Sequence, residues 1–70
     1  MLKFENKNNG RFYYIEIKKD LFGDLVINTI RGGLHVSVQR IIFCDNAVSV
    51  RDKIRQIVKR RTARGYILTE

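Results

Sequence analysis

Polar and apolar residues alternate from Arg11 onward. In "RFYYIEIKKD", Tyr13, Ile15 and Ile17 fall on one side and Tyr14, Glu16 and Lys18 on the other. A period of two with aromatic and β-branched residues predicts a half-buried strand. The preceding "NKNNG" has turn chemistry, because Asn-Gly tolerates positive φ, and a short strand over Leu2 to Glu5 can pair back across it. "DLFGD" closes the strand: Asp20 can bond nearby backbone, and Gly23 can adopt a conformation closed to other residues. "LVINTI" and "LHVSVQRIIF" then predict two further strands, with Gly32-Gly33 as the hairpin between them. The alternation breaks at "RIIF", which predicts a bulge or a strand covered on both faces.

The period then changes. Ala47, Val50, Ile54, Ile57 and Val58 recur at spacings of three and four, one apolar stripe of a helix. Asn46 suits its N-cap, Asp45 suits the positive end of the dipole, and Gly65 suits the C-terminal cap. "YILTE" is a short apolar tail expected to pack back on the sheet. Strands followed by one helix predict an α+β fold. We expect a small antiparallel β-sheet of three or four strands, with one long C-terminal α-helix packed across one face. Residues 1–70 form a single domain.

Composition narrows the function. A chain of 70 residues buries a small share of its surface, so its stability margin is thin. One cysteine and one histidine build neither an internal disulfide nor an ordinary structural zinc site. Dimerisation or a bound partner is one way to support so small a core. No apolar run approaches a membrane span and no signal peptide opens the chain, so a cytoplasmic location with no membrane partner is expected.

Charge is unevenly placed. Residues 51–64 hold seven Lys or Arg and one Asp, which leaves about +1 of the net +7 for all the rest. Such a block points to an anionic partner, against the plainer alternative of a solvated face that confers solubility. On the helix, Arg51, Arg55 and Lys59 form an i, i+4, i+8 row, while Lys53, Arg60 and Arg64 flank the other side of the apolar stripe. Like charges four apart cost roughly 0.2–0.5 kcal/mol per pair. The helix dipole favours cations near the C-terminus but does not account for Arg51 and Arg55. Arg61 falls near the stripe, where its stem can lie along the core edge.

Other candidate chemistry is sparse. His35, in a predicted strand, has no carboxylate or nucleophile near it in sequence. Cys44 occupies a core position before the helix. Asp20 and Asp24 lack the ligand density of a calcium loop, and Gly32-Gly33 lacks the lysine and following helix of a phosphate loop. A lone Arg-Gly-Gly is a poor RNA signal. Phe12, Tyr14 and Phe22 can either stack on bases or cover the core. No metal site, cofactor or catalytic constellation is expected, and the chain reads as a non-enzyme.

The succession "RFYYIEI", "DLFGDLVI", a glycine hairpin, Phe43 before a capped helix, and "RGY" resembles the WGR domain over almost the whole chain. It is most similar to small bacterial stand-alone members. The family's Trp-Gly-Arg signature corresponds to Arg31-Gly32-Gly33, with Arg31 in the Trp position. In poly(ADP-ribose) polymerases this module helps bind DNA breaks and contacts neighbouring domains. The resemblance therefore implies a DNA-binding accessory role, with Tyr13, Val50, Ile54, Gly65 and Tyr66 as fold residues.

Together these readings lead to a nucleic-acid-binding domain, on DNA rather than RNA, that makes weak, non-specific phosphate contacts. Arg31, Arg51, Arg55, Lys59, Arg60 and Arg64 are the expected contact residues, and the Arg51–Arg55–Lys59 row is expected to dominate. The alternative is a protein-interaction or homodimerisation module that uses the sheet face or edge.

Overall fold

The computed structural model describes residues 1–70. Five strands precede or follow one helix: β1 (Leu2–Asn6), β2 (Arg11–Lys19), β3 (Leu25–Gly32), β4 (Ser37–Phe43), α1 (Ala47–Ala63) and β5 (Ile67–Leu68). They form one antiparallel sheet in the order β4-β3-β2-β1-β5. The α+β class and antiparallel sheet agree with the sequence pattern. The strand beyond the expected three or four comes from the apolar tail, which doubles back so that Leu68 lies opposite Phe4 on β1. No helix is long and apolar enough to cross a membrane.

Register explains the core. Phe4 pairs with Tyr13 and Leu2 with Ile15, so alternate residues of β1 and β2 share the face beneath α1. Phe4, Tyr13, Ile15, Ile27, Cys44, Val50 and Tyr66 form the buried cluster, flanked by Ile54, Ile57 and Val58 of the helical stripe. Ala47, at the start of that stripe, is exposed. Ile15 and Ile27 are the two large side chains fully withdrawn from water, each worth about 1.5–3 kcal/mol. Cys44 is a core thiol whose Sγ–H points at the Ile42 carbonyl, 3.9 Å away.

The turns follow their local chemistry. Asp20 Oδ1 accepts from the amides of Phe22 and Asp24, both at 2.9 Å, around Gly23 with φ +82°. In the first turn Asn6 Oδ1 accepts from Asn8 N, and Asn9 Oδ1 from Arg11 N. Asn46 caps α1 by accepting from Ser49 N at 2.9 Å. At the other end, Gly65 is left-handed at φ +89°. Tyr66 N donates to Arg61 O and Gly65 N to Thr62 O, a Schellman closure.

Two expectations change. The Gly32-Gly33 hairpin exists, but neither glycine has positive φ. The connection runs from Gly33 to Val36, closed by Gly33 N donating to Val36 O at 2.9 Å, and it carries exposed His35, which therefore lies outside the strand. Gly32 answers to a close approach instead: a Cβ there would overlap the Val36 carbonyl oxygen and lie 2.9 Å from Ser37 Cα. The second change concerns "RIIF". β4 pairs with β3 in unbroken register from Val26–Phe43 to Gly32–Ser37, so there is no bulge. Nor is it covered on both faces: β4 is the edge strand, and Val38, Ile41 and Phe43 are 47, 53 and 72% exposed. A continuous apolar run here marks an open edge rather than a central strand.

Candidate nucleic-acid interface

α1 packs against β3, and the edge strand β4 beside it stays largely exposed as a shelf. Between shelf and helix runs a groove of about 230 Å³, with Tyr13, Val38, Ile42 and Ile57 as its apolar lining. Its charged lining is wholly cationic: Arg31 and Arg40 come from β3 and β4, and Lys53, Arg60 and Arg61 from α1, with Thr29 and Gln56 as neutral polar neighbours. Register places Arg31 between Tyr13 and Val38, and Arg40 beside Thr29, all on the helix side of the sheet. A second concavity of about 470 Å³ continues past the helix C-terminus and shares Arg31, Val38 and Arg61 with the first. It adds Arg11 and Arg64. Seven cationic side chains thus border one continuous channel, and no carboxylate borders either part. None of the seven joins an ion pair; the three pairs of the chain are Lys3–Glu70, Lys18–Glu16 and Arg51–Asp52. Low-dielectric walls lined by one sign of charge concentrate counter-ions.

Arg61 sits at the junction of the two concavities. It is only 8% exposed, a core-like value for a charged residue. Its guanidinium lies 4.4 Å from the Tyr13 ring centroid and 5.7 Å from that of Tyr66, which compensates part of its desolvation. Its Nε is buried without any hydrogen-bond partner. The helix dipole places partial negative charge at this end of α1, but the local carbonyls are occupied. Arg61 O accepts from the Arg64 and Tyr66 amides, and Arg64 O accepts from Asn6 Nδ2 at 3.1 Å.

No protein-family model matches this chain, and neither a curated protein nor a solved structure does.

The six residues singled out from sequence divide into two surfaces. Arg31, Arg60 and Arg64 border the channel. Arg51, Arg55 and Lys59 do not; they form an exposed row on the opposite flank of α1, where Arg51 Nε lies 3.6 Å from Asp52 Oδ1. Such an exposed pair contributes little. Sequence reasoning placed Lys53 on a basic flank of the helix but not in a site, and missed Arg11, Arg40 and Arg61 as members of one. Arg61 carried a signal: an arginine three and four residues beyond Val58 and Ile57 continues the buried stripe, so its charge had to enter the core edge. Arg11 and Arg40 carried none, because strand order alone brings them beside the helix. Phe12 and Tyr14 lie on the outer sheet face, with ring centroids 4.7 Å apart, and Phe22 stands 89% exposed on the β2–β3 turn. No aromatic among these three borders the channel.

Proposed function

We propose that this chain is a non-enzymatic nucleic-acid-binding accessory domain, WGR-like and cytoplasmic, that contacts DNA in preference to RNA through the phosphate backbone. The observation that supports this reading is the channel itself: seven cations, no carboxylate and no internal ion pair. Cations placed for solubility alone have no reason to converge from β2, β3, β4 and α1. Arg31, Arg60 and Arg64 contact phosphate from the channel side, and Arg51, Arg55 and Lys59 from the exposed row. Such contacts give affinity without sequence readout. Five of them give a log–log salt slope of about −4.5 on duplex DNA. The test is a salt titration by fluorescence anisotropy on duplex, nicked and single-stranded probes. Absence of binding to all three at low salt rejects the reading.

One observation favours a second reading, a protein-interaction or homodimerisation module. β4 is an open edge without proline or bulge, with Val38, Ile41 and Phe43 exposed beside it, the kind of edge that pairs with another strand. Light scattering after size exclusion separates the two readings. A dimer indifferent to nucleic acid supports this one, and a monomer that binds DNA supports the first.

A further inference from the structure

The two cationic surfaces differ at one residue: Arg61 is buried, whereas the other six channel cations are exposed, as the far-flank row is. The row on the far flank of α1 is exposed, so a duplex can lie against it. Arg61 is 92% withdrawn from solvent, yet it has a polar atom, Nε, with no partner. Buried polar groups without partners are rare and costly, more so when charged. The usual remedy for a buried guanidinium, a carboxylate, is absent: no Asp or Glu borders the channel. The two tyrosine rings neighbour the guanidinium, but a ring face offers the in-plane N–H groups no acceptor comparable to an oxygen. Nε itself is closed to solvent, so an oxyanion in the channel meets Arg61 where its side chain lines the two concavities. Arg31, which borders both concavities with Arg61, and Arg60, on the same side of α1, supply the additional positive charge that a phosphate requires. Gln56, also on the channel wall, provides a neutral amide donor.

We propose that the channel between α1 and β4 is a phosphate-binding site anchored by buried Arg61, and that it takes the backbone phosphate of an unpaired nucleic-acid strand. The proposal rests on the nucleic-acid reading and deepens it. At about 230 Å³ the inner part is below the range of ordinary small-molecule pockets and suits a group of phosphate size. The phosphates of a stiff duplex approach together on a broad cylinder, whereas an unpaired strand can bend one phosphate into a recess. Arg11 and Arg64 in the outer part then receive the next phosphates along the strand. Inorganic polyphosphate shares this chemistry, and the experiment separates it from a strand.

The test follows the Arg61 Nε–Hε signal by ¹H–¹⁵N NMR in the intact wild-type chain. The probes are an oligothymidylate of about ten nucleotides, a short blunt duplex, inorganic phosphate and polyphosphate. Affinities are measured alongside for Arg61→Met, Arg31→Gln, Arg60→Gln and, as a charge-matched control away from the channel, Lys19→Gln. The expected result is displacement of the Arg61 signal by the oligothymidylate at lower concentration than by the duplex. Single-strand affinity should fall by roughly tenfold for Arg61→Met and severalfold for Arg31→Gln and Arg60→Gln, with Lys19→Gln within twofold of wild type. If Arg61→Met does not fold, the wild-type signal and the two channel variants still decide. Nucleic-acid binding with an unmoved Arg61 signal overturns the site while leaving the parent reading intact. Response to inorganic phosphate or polyphosphate without response to the oligothymidylate overturns the strand assignment. Failure of every nucleic-acid probe to bind removes the parent reading as well.

Discussion

Arg61 of α1 lies with its guanidinium 4.4 Å from the centre of the Tyr13 ring on β2, and this contact joins the hydrophobic core to the cationic channel. Tyr13 is 7% exposed and belongs to the core cluster. Its one face supports the charge that the channel presents. The pair accounts for an otherwise awkward choice, an arginine on the buried side of the only helix.

The energetic sign of that choice is testable. Cation–π attraction contributes about 2 kcal/mol when desolvated, whereas the effective penalty for burying an ion is several kcal/mol. Arg61→Met is therefore expected to raise the urea midpoint while weakening nucleic-acid binding. A lowered midpoint means that the guanidinium mainly holds the core together.

The two hairpin glycines should respond differently. Gly32→Ala forces its Cβ against the Val36 carbonyl oxygen and is expected to cost about 1–3 kcal/mol, as overpacking does. Gly33 lacks positive φ, and its nearest neighbour would be the Arg11 side chain at 3.7 Å. Gly33→Ala should be neutral or stabilise by about 0.4–1 kcal/mol. Thermal denaturation of the two variants gives the comparison, and equal losses would contradict it.

Closure of the helix C-terminus links α1 to the first turn. Asn6 is 5% exposed and donates to Arg64 O at 3.1 Å. Asn6→Ala leaves that carbonyl without its partner and should cost about 1–3 kcal/mol. Gly65→Ala places a Cβ in left-handed backbone at φ +89° and should cost about 1–2 kcal/mol. Both losses should appear in chemical denaturation, with Arg64 and Arg61 reoriented and binding weakened in step.

Replacing Arg51, Arg55 and Lys59 together by Gln should leave the fold intact, since all three are exposed. They span about 12 Å along the helix at 1.5 Å per residue, the reach of successive phosphates on a duplex. The salt slope on duplex DNA should flatten by about 2–3 units, and the slope on single-stranded DNA by about 0.7 for Arg31→Gln. An unchanged slope in the triple variant would remove the row from the interface.

Arg31→Trp, compared with Arg31→Gln, which loses the same charge, probes the WGR resemblance. Arg31 stands between Tyr13 and Val38 in the sheet register, and an indole there would supply the residue that the proposed resemblance expects. Preference for DNA ends over intact duplex is expected to rise, read from competition between circular and linear DNA. No change in that preference would detach the signature from end recognition in this chain.

The elements with short-range causes were legible in the linear chain. The period of Tyr13, Ile15 and Ile17, the Asp20 and Asn-Gly turns, the Asn46 cap and the Gly65 terminus each depend on residues within a few positions of one another, and each stands where those residues put it. The concentration of charge in residues 51–64 was equally visible. Strand order was not local. Apolar residues crowd the "RIIF" run whether a strand is central or at an edge, and only the pairing β4-β3-β2-β1-β5 leaves it open. The reason for Gly32 was likewise hidden, because it depends on the path of Val36 and Ser37 rather than on φ. The channel belongs to the same class. Arg11, Arg31 and Arg40 lie on three strands and Lys53, Arg60, Arg61 and Arg64 on or at the end of the helix. Sequence determined that the helix would be basic; the crossing of helix over sheet decided which of its cations meet those of the strands, because charges gather only where packing brings separate elements together.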